Sequence, residues 1–118
     1  MYAVTVQQKY LMSVKMTDKA MIGRAEIDKA AFVLKTIAHP TRLTIIDFLS
    51  KQGRKTVSDI CHSLELEQSL ASHHLNTMKL KGVLGSVREG KNILYFLKLH
   101  EVTQVISCID NCNLTFSV

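Results

Sequence analysis

The stretch from Glu67 to Lys79 carries polar side chains on one side and apolar side chains on the other when it is drawn as a helix. On a helical wheel Ala71, Leu75 and Met78 fall on the apolar face. The opposite face holds short or planar side chains, most of which both donate and accept hydrogen bonds: Ser69, Ser72, His73 and Asn76. These groups match the hydrogen-bonding edges of bases in the major groove. The outer face of an ordinary surface helix more often carries Lys and Glu. The pattern therefore predicts a helix that reads DNA.

The neighbouring residues Ser72, His73 and His74 also suggest a nucleophile with its base. Adjacent helical residues point about 100° apart, however, and no acid is placed to orient an imidazole. His74 lies towards the inner edge of the wheel, so we expect it to pack in the core, whereas His73 points outward. The chain also lacks a phosphate-binding loop, a nucleophile elbow and paired acids. We therefore predict that the protein is not an enzyme and that it needs no cofactor.

Composition restricts the class of protein further. At 118 residues with 47% hydrophobic residues, the chain is long enough for one domain with its own core. Its 15 Lys and Arg against 10 Asp and Glu give a net charge of +5, which favours a polyanionic partner. No apolar run approaches the ~20 residues of a membrane helix. The first ten residues lack the pattern of a signal peptide, so we expect no membrane partner and a cytoplasmic location.

The elements that position the polar helix can be predicted along the chain. Apolar residues at intervals of three and four predict an amphipathic helix over residues 24–38. Pro40 suits the first turn of a second helix, which ends near Gly53. Thr56 and Asp59 form a near-capping box, which begins a third helix. A brief turn then leads to the polar helix.

The pattern changes after the polar helix. Residues 83–88 and 92–99 are rich in β-branched, aliphatic and aromatic side chains, and they flank Glu89-Gly90-Lys91, which predicts a β-hairpin. A last helix has one apolar stripe: Val102, Val105, Ile106 and Ile109. We interpret residues 1–23 as an arm or short helix and residues 24–118 as the folded domain.

Two short helices joined by a tight turn and followed by a hairpin are the order of a winged helix-turn-helix, here mostly α with a β-hairpin wing. Lys79, Arg88 and Lys91 lie on or beside this unit. They could be a solvated face, but their position favours contact with phosphate. For Arg42, a phosphate contact and an internal ion pair both stay open.

Three motifs in this order resemble the ArsR/SmtB family of bacterial transcriptional repressors. Residues 38–43 (Ala-His-Pro-Thr-Arg-Leu) are similar to the start of its second conserved helix. Residues 69–75 (Ser-Leu-Ala-Ser-His-His-Leu) are similar to its recognition helix, and residues 82–84, with the hairpin, to its passage into the wing. The resemblance covers about residues 25–112. It implies a homodimer that is paired through its first and last helices and is released from a palindromic operator by an inducer or metal.

The resemblance assigns contacts with DNA bases to Gln68, Ser69, Ser72 and His73. Asn76 joins them on the helical wheel alone. Glu67 departs from the family pattern, which often has Ser or Thr at this cap position. A carboxylate there suits the helix dipole but would repel a nearby phosphate.

The resemblance also allows its two metal sites to be tested. The positions that match a pair of thiolate ligands are Thr56 and Ser58, neither of which offers the sulfur that soft metals prefer. The positions that match a site on the last helix are Leu99, Glu101, Cys112 and Thr115. Only two of these four side chains could ligate, which is too few for a closed zinc site. We therefore predict that both sites are absent.

The last helix has two further roles to weigh. Its apolar stripe must be covered, and the resemblance implies that a second copy covers it, together with Leu34 of the first helix. Cys108 and Cys112 flank this stripe and could bind a soft metal or sense oxidation. They could equally be small apolar residues at an interface, which we favour. We expect Cys61 to be buried.

We therefore predict a homodimeric repressor that binds double-stranded operator DNA and is released by an inducer that the sequence does not identify. The alternative is a winged-helix module that binds another protein and no DNA. That alternative explains the fold and the core equally well. It does not explain the polar recognition face or the positive charge.

Overall fold

The computed structural model describes residues 21–112, which form five helices and a small sheet. The helices are α1 (Arg24–Ile37), α2 (Pro40–Gln52), α3 (Val57–Leu64), α4 (Gln68–Leu80) and α5 (Val102–Asn111). The strands are β1 (Lys55–Thr56), β2 (Leu84–Glu89) and β3 (Asn92–Leu97). The predicted fold, mostly α with a β-hairpin, is confirmed. The predicted arm of residues 1–23 lies almost wholly outside the described residues, and so does the tail from residue 113.

The chain divides by its internal contacts into residues 1–32 and residues 33–118. In the described part of the first unit, Gly23 precedes α1 and its carbonyl accepts a hydrogen bond from the Ile27 N–H at 3.0 Å. An exposed ion pair joins Arg24 and Asp28 at 3.3 Å, one turn apart. The second unit contains the end of α1 and every other element.

Helix α2 begins and ends as the sequence predicts, with Pro40 in its first turn. Its N-cap is His39, whose Nδ1 accepts a hydrogen bond from the Thr41 N–H at 3.1 Å. At the other end Gly53 has φ 79° and donates its N–H to the Leu49 carbonyl. A positive φ favours glycine, which explains why the helix ends there.

Helix α3 and the turn after it form the first half of the helix-turn-helix. The predicted capping box is confirmed: the Asp59 N–H donates to Thr56 Oγ1 at 3.1 Å, and the Thr56 N–H donates to Asp59 Oδ2 at 3.2 Å. Hydrogen bonding of the Asp59 carboxylate, first by the Thr56 backbone N–H and then by the Thr56 side chain, lowers the pKa of Asp59. Glu65 then turns the chain with φ 55° and donates its N–H to the Cys61 carbonyl. The turn leaves only three residues between α3 and α4.

The hairpin is antiparallel and pairs Leu84 with Leu97 and Glu89 with Asn92, which leaves a turn of Gly90 and Lys91. The sequence predicted slightly different bounds for the two strands of the hairpin, residues 83–88 and 92–99. It also missed β1, which pairs with β3 and completes a sheet of order β1-β3-β2.

The core joins α2, α3, α4 and the hairpin. Its fully buried large side chains are Ile45, Ile46, Leu49, Ile60, Leu75, Met78, Val83 and Leu84. The predicted inner face of α4 is confirmed, because Ala71, Leu75 and Met78 are all inaccessible to solvent. Packing of this face fixes the rotation of α4 about its axis, so its opposite face is presented to solvent. Within residues 21–112, no helix is long and apolar enough to cross a membrane.

Candidate nucleic-acid interface

The outer face of α4 is polar at its centre. Ser69, His73 and Asn76 are exposed, and Ser72 is half-buried at the edge of the face. Gln68 is the first residue of the helix and is also exposed. All five side chains that the sequence assigned to base contacts therefore lie on one helix, at positions that the core leaves accessible. Short polar groups in this arrangement can donate to and accept from base edges.

The N-terminus of α4 lacks the side-chain cap that most helices have. Glu67 occupies the N-cap position with extended backbone, but its side chain makes no capping hydrogen bond. Instead, the Ser69 hydroxyl donates to Glu67 Oε1 at 2.6 Å. Among the described residues, the ion pairs are Arg24–Asp28 and Lys51–Asp47, and neither includes Glu67. A carboxylate without a cationic partner therefore stands beside the proposed base-reading residues.

The three cations predicted to contact phosphate are all exposed. Lys79 lies in the last turn of α4, Arg88 near the end of β2, and Lys91 in the hairpin turn. Helix and hairpin follow each other directly, since the Val83 N–H donates to the Met78 carbonyl at 2.9 Å. The two elements that carry the candidate residues thus belong to one packed unit.

Two exposed leucines of α4 were not among the predicted residues. Leu80 is 76% exposed and lies four and seven residues after Asn76 and His73, so it continues the same face. Leu70 is also exposed, at the side of this face. An aliphatic side chain can contact the methyl group of thymine. The wheel would have found Leu80 if the helix had been extended one residue beyond Lys79.

Arg42 holds α4 to the rest of the domain. Its Nε donates to His74 Nδ1 at 3.0 Å, and its Nη1 donates to the Thr36 carbonyl at 2.8 Å. Of the two roles that the sequence left open, the internal one is observed, as hydrogen bonds to His74 and to the Thr36 carbonyl and not as an ion pair. The guanidinium connects the end of α1 with α4, and its bond to His74 spans 32 residues of sequence.

His74 is 4% exposed, which confirms the predicted core histidine. Because Nδ1 accepts from Arg42, the neutral ring carries its proton on Nε2, which is buried and has no hydrogen-bond partner among the described residues. The rings of His39 and His73 lie 4.5 Å and 5.4 Å from it, centroid to centroid. Burial lowers the pKa of His74, and the charges of His39, Arg42 and His73 lower it further.

This lowered pKa predicts a loss of stability in mild acid. Below about pH 6.5 the unfolded chain protonates His74, whereas the folded chain resists protonation. The unfolded state then binds more protons, so the free energy of unfolding falls as the pH falls from about 6.5 towards the folded pKa of His74. Urea unfolding between pH 5 and pH 7.5 measures this slope.

The His74→Gln variant should lose this part of the pH dependence, because its amide does not titrate. The exposed His62 of α3 provides the matched control, and His62→Gln should keep the slope of the parent. An unchanged slope in His74→Gln would contradict the assignment to His74.

An open apolar groove of about 300 Å³ lies between the end of α1 and α5. It is lined by Leu34, Ile37, Ala38, Leu43, Val105, Ile106 and Ile109. Leu34, Val105 and Ile109 are exposed, and Ile109 is 54% exposed.

Val102, predicted to lie in a dimer interface, requires a correction: it is 2% exposed because it packs into the core of its own chain. The remaining predicted interface residues all line this groove.

Cys108 and Cys112 are free and exposed, in the last turn of α5 and just after it. Cys61 is only half-buried, although the sequence predicted burial. Within residues 21–112, no three His, Cys, Asp or Glu side chains come together as metal ligands. Thr56, at one of the family's thiolate positions, is engaged in the capping box. Thr115 lies outside the described residues.

Helix, tight turn, recognition helix and β-hairpin define this protein as a winged helix-turn-helix protein. Residues 39–84 match the model for the arsR family of bacterial regulatory proteins. The HTH-type transcriptional regulator YgaV of Escherichia coli is 32% identical over 96 residues, which are 81% of this chain and 96% of that protein. The chain belongs to the arsR family and is a DNA-binding transcriptional regulator, as the sequence resemblance predicts.

Other relatives agree with this assignment. The transcriptional repressor PagR of Bacillus anthracis is 37% identical over 84 residues, 71% of this chain and 84% of that protein. The crystal structure of PagR superposes with a TM-score of 0.68 over 74% of this chain and 99% of that chain. HlyU of Vibrio cholerae superposes with the same TM-score at 27% identity, over 77% of this chain and 98% of that chain.

Proposed function

We propose that this protein is a dimeric repressor that binds double-stranded operator DNA through α4 and the hairpin and is released by an inducer. The observation that carries this proposal is the outer face of α4, where Ser69, His73 and Asn76 are exposed and free of the core. Relatives that are named transcriptional repressors support repression. A regulator of this kind would work in the cytoplasm.

The contacts with DNA divide into two kinds. Bases are read by the polar side chains along α4: Gln68, Ser69, Ser72, His73 and Asn76. Phosphates are bound by Lys79, Arg88 and Lys91, which position the protein on the duplex without reading its sequence. The net charge of +5 attracts the duplex at long range.

The groove between α1 and α5 supports the dimer. Exposed apolar side chains at Leu34, Val105 and Ile109 favour burial against another surface, and a second copy of the same groove is complementary in chemistry. A homodimeric winged helix-turn-helix domain from Mycobacterium bovis superposes with a TM-score of 0.65 at 27% identity, over 80% of this chain and 88% of that chain. In such a dimer, two recognition helices about one helical turn apart, ~34 Å, reach successive major grooves.

An inducer would act by changing the geometry of the dimer. It lowers affinity for the operator only by as much as it prefers the other arrangement of the two subunits. Cys108 and Cys112 lie at the end of α5 and are exposed, so a thiophilic metal or an oxidant is one class of inducer. We favour the other interpretation of these cysteines, as small apolar residues beside the interface.

Salt dependence of binding to duplex DNA tests the proposal. Three candidate cations per subunit give roughly six phosphate contacts per dimer, so affinity should fall about a thousandfold between about 50 and 200 mM salt. A fluorescence anisotropy titration at several salt concentrations measures the slope. A module that binds a protein and no DNA would show weak binding without this steep slope, and that result would rule out the proposed function.

In the same kind of titration with operator DNA, His73→Ala should lower the affinity about tenfold, which is the scale of one good base contact. The dimer should stay intact, because His73 is exposed and does not line the groove. His62→Ala removes an exposed histidine from α3 and should leave affinity unchanged. Equal affinities of the two variants would argue against base reading by His73.

A further inference from the structure

Ser69 and Glu67 limit each other's hydrogen bonding at the N-terminus of α4. A free serine hydroxyl can donate to a base or accept from one. The Ser69 hydroxyl, however, already donates to Glu67 Oε1 at 2.6 Å. What the two residues still offer are acceptors: the lone pairs of Ser69 Oγ and the remaining lone pairs of the Glu67 carboxylate. The Ser69 and Glu67 side chains therefore accept further hydrogen bonds and do not donate them.

A surface of acceptors discriminates between bases. In the major groove guanine presents two acceptors and thymine one acceptor, so both repel a carboxylate. Adenine presents one amino donor, but its N7 acceptor lies beside that donor and thymine O4 lies on the other side. Cytosine presents one free amino hydrogen with a C–H on one side, so the Glu67 carboxylate can accept that hydrogen while Ser69 Oγ meets no competing acceptor on the C–H side. Of the four bases, cytosine suits Glu67 and Ser69 best.

From this geometry we propose that Glu67 and Ser69 together read a cytosine in each half of the operator. The inference rests on the proposed function, and it adds Glu67 to the residues proposed above to contact bases. The N-terminal residues of a recognition helix are those that contact base edges, which is where both residues lie.

The carboxylate acts mainly by rejecting other sequences. When the helix enters the groove, Glu67 loses water, and no cation of the described residues forms an ion pair with it. A buried charge without a donor is unfavourable, whereas a hydrogen bond from the cytosine amino group offsets this penalty. A duplex with another base at this position should therefore bind this protein more weakly than it binds a variant that lacks the carboxylate.

The test is a selection of duplexes with a randomised core by the full chain and by two variants. Glu67→Gln keeps the shape and adds a donor. Glu65→Gln is the matched control, since Glu65 is also exposed, lies in the same turn and carries the same charge. The parent and Glu65→Gln should select cytosine at one position of each half-site by about tenfold over the other bases. Glu67→Gln should lose this preference and accept adenine, whose N6 and N7 suit a glutamine amide.

Two results would overturn the inference, and they are distinguishable. If Glu67→Gln binds all sequences more tightly by the same factor as Glu65→Gln does, then Glu67 only repels phosphate and reads no base, while the proposed function stands. If the parent enriches no duplex from the pool, the proposed function fails, and the inference fails with it.

Discussion

Replacing Ile109 by Glu should convert the proposed dimer into a folded monomer and lower affinity for the operator by about a hundredfold or more. Ile109 is 54% exposed within its own chain, so a glutamate there is solvated in the monomer and disturbs little of its core. In the dimer the same carboxylate would be buried in the apolar groove opposite its symmetry mate, where two unpaired charges are strongly unfavourable. Loss of the second recognition helix then removes the gain from binding two half-sites at once.

Sedimentation velocity and operator titration measure the two effects. Gln104→Glu is the control, because it puts the same charge on an exposed position of α5 that does not line the groove. It should remain dimeric and bind DNA nearly as well as the parent. A dimeric Ile109→Glu protein would show that the groove between α1 and α5 is not the dimer interface.

Replacing Arg42 by Met should lower the free energy of unfolding by about 3 kcal/mol, since it removes two hydrogen bonds from a charged donor. The long aliphatic side chain of Met keeps most of the packing. What it cannot replace are the bonds to His74 Nδ1 and to the Thr36 carbonyl. His74 would then be a buried ring with neither nitrogen bonded to a partner among the described residues.

Urea unfolding at neutral pH measures this loss, and Lys51→Met is the control. Lys51 also lies on α2, but it is exposed and pairs with Asp47 one turn away at 3.1 Å. Such surface pairs contribute about 0.5 kcal/mol or less. If both variants lose the same small amount, then the bonds of Arg42 contribute no more than a surface ion pair, and α4 is held by its apolar face alone.

The features predicted well from the sequence are those that depend on residues close together in the chain. The inner face of α4 follows from the helical period, because Ala71, Leu75 and Met78 recur at three and four residues. The capping box of Thr56 and Asp59 involves residues three apart. The glycine that ends α2 and the turn of the hairpin are equally local. Each of these was predictable because the physical cause lies within one turn of helix or one β-turn.

The features that the sequence missed depend on residues far apart. Strand β1 has two residues, too few for a period, and exists because Thr56 pairs with Leu94. The bond from Arg42 to His74 spans 32 residues, and no local pattern connects a residue of α2 with one of α4.

The last helix shows most clearly which features follow from the local sequence and which depend on tertiary packing. From the sequence alone, Val102, Val105, Ile106 and Ile109 form one equivalent apolar stripe. The tertiary structure separates them, since α5 packs onto α2 and buries Val102 in its own core while Ile109 stays exposed.

The sequence by itself therefore determined the class of fold, the order of its elements and the chemistry of the recognition face. All of these follow from periodicity, caps and residue types along a short stretch of chain. Only the tertiary structure decided which apolar residues are left for a partner and what Arg42 binds. A side chain's partners depend on how helices pack and which rotamers that packing permits, and neither is encoded in any local pattern.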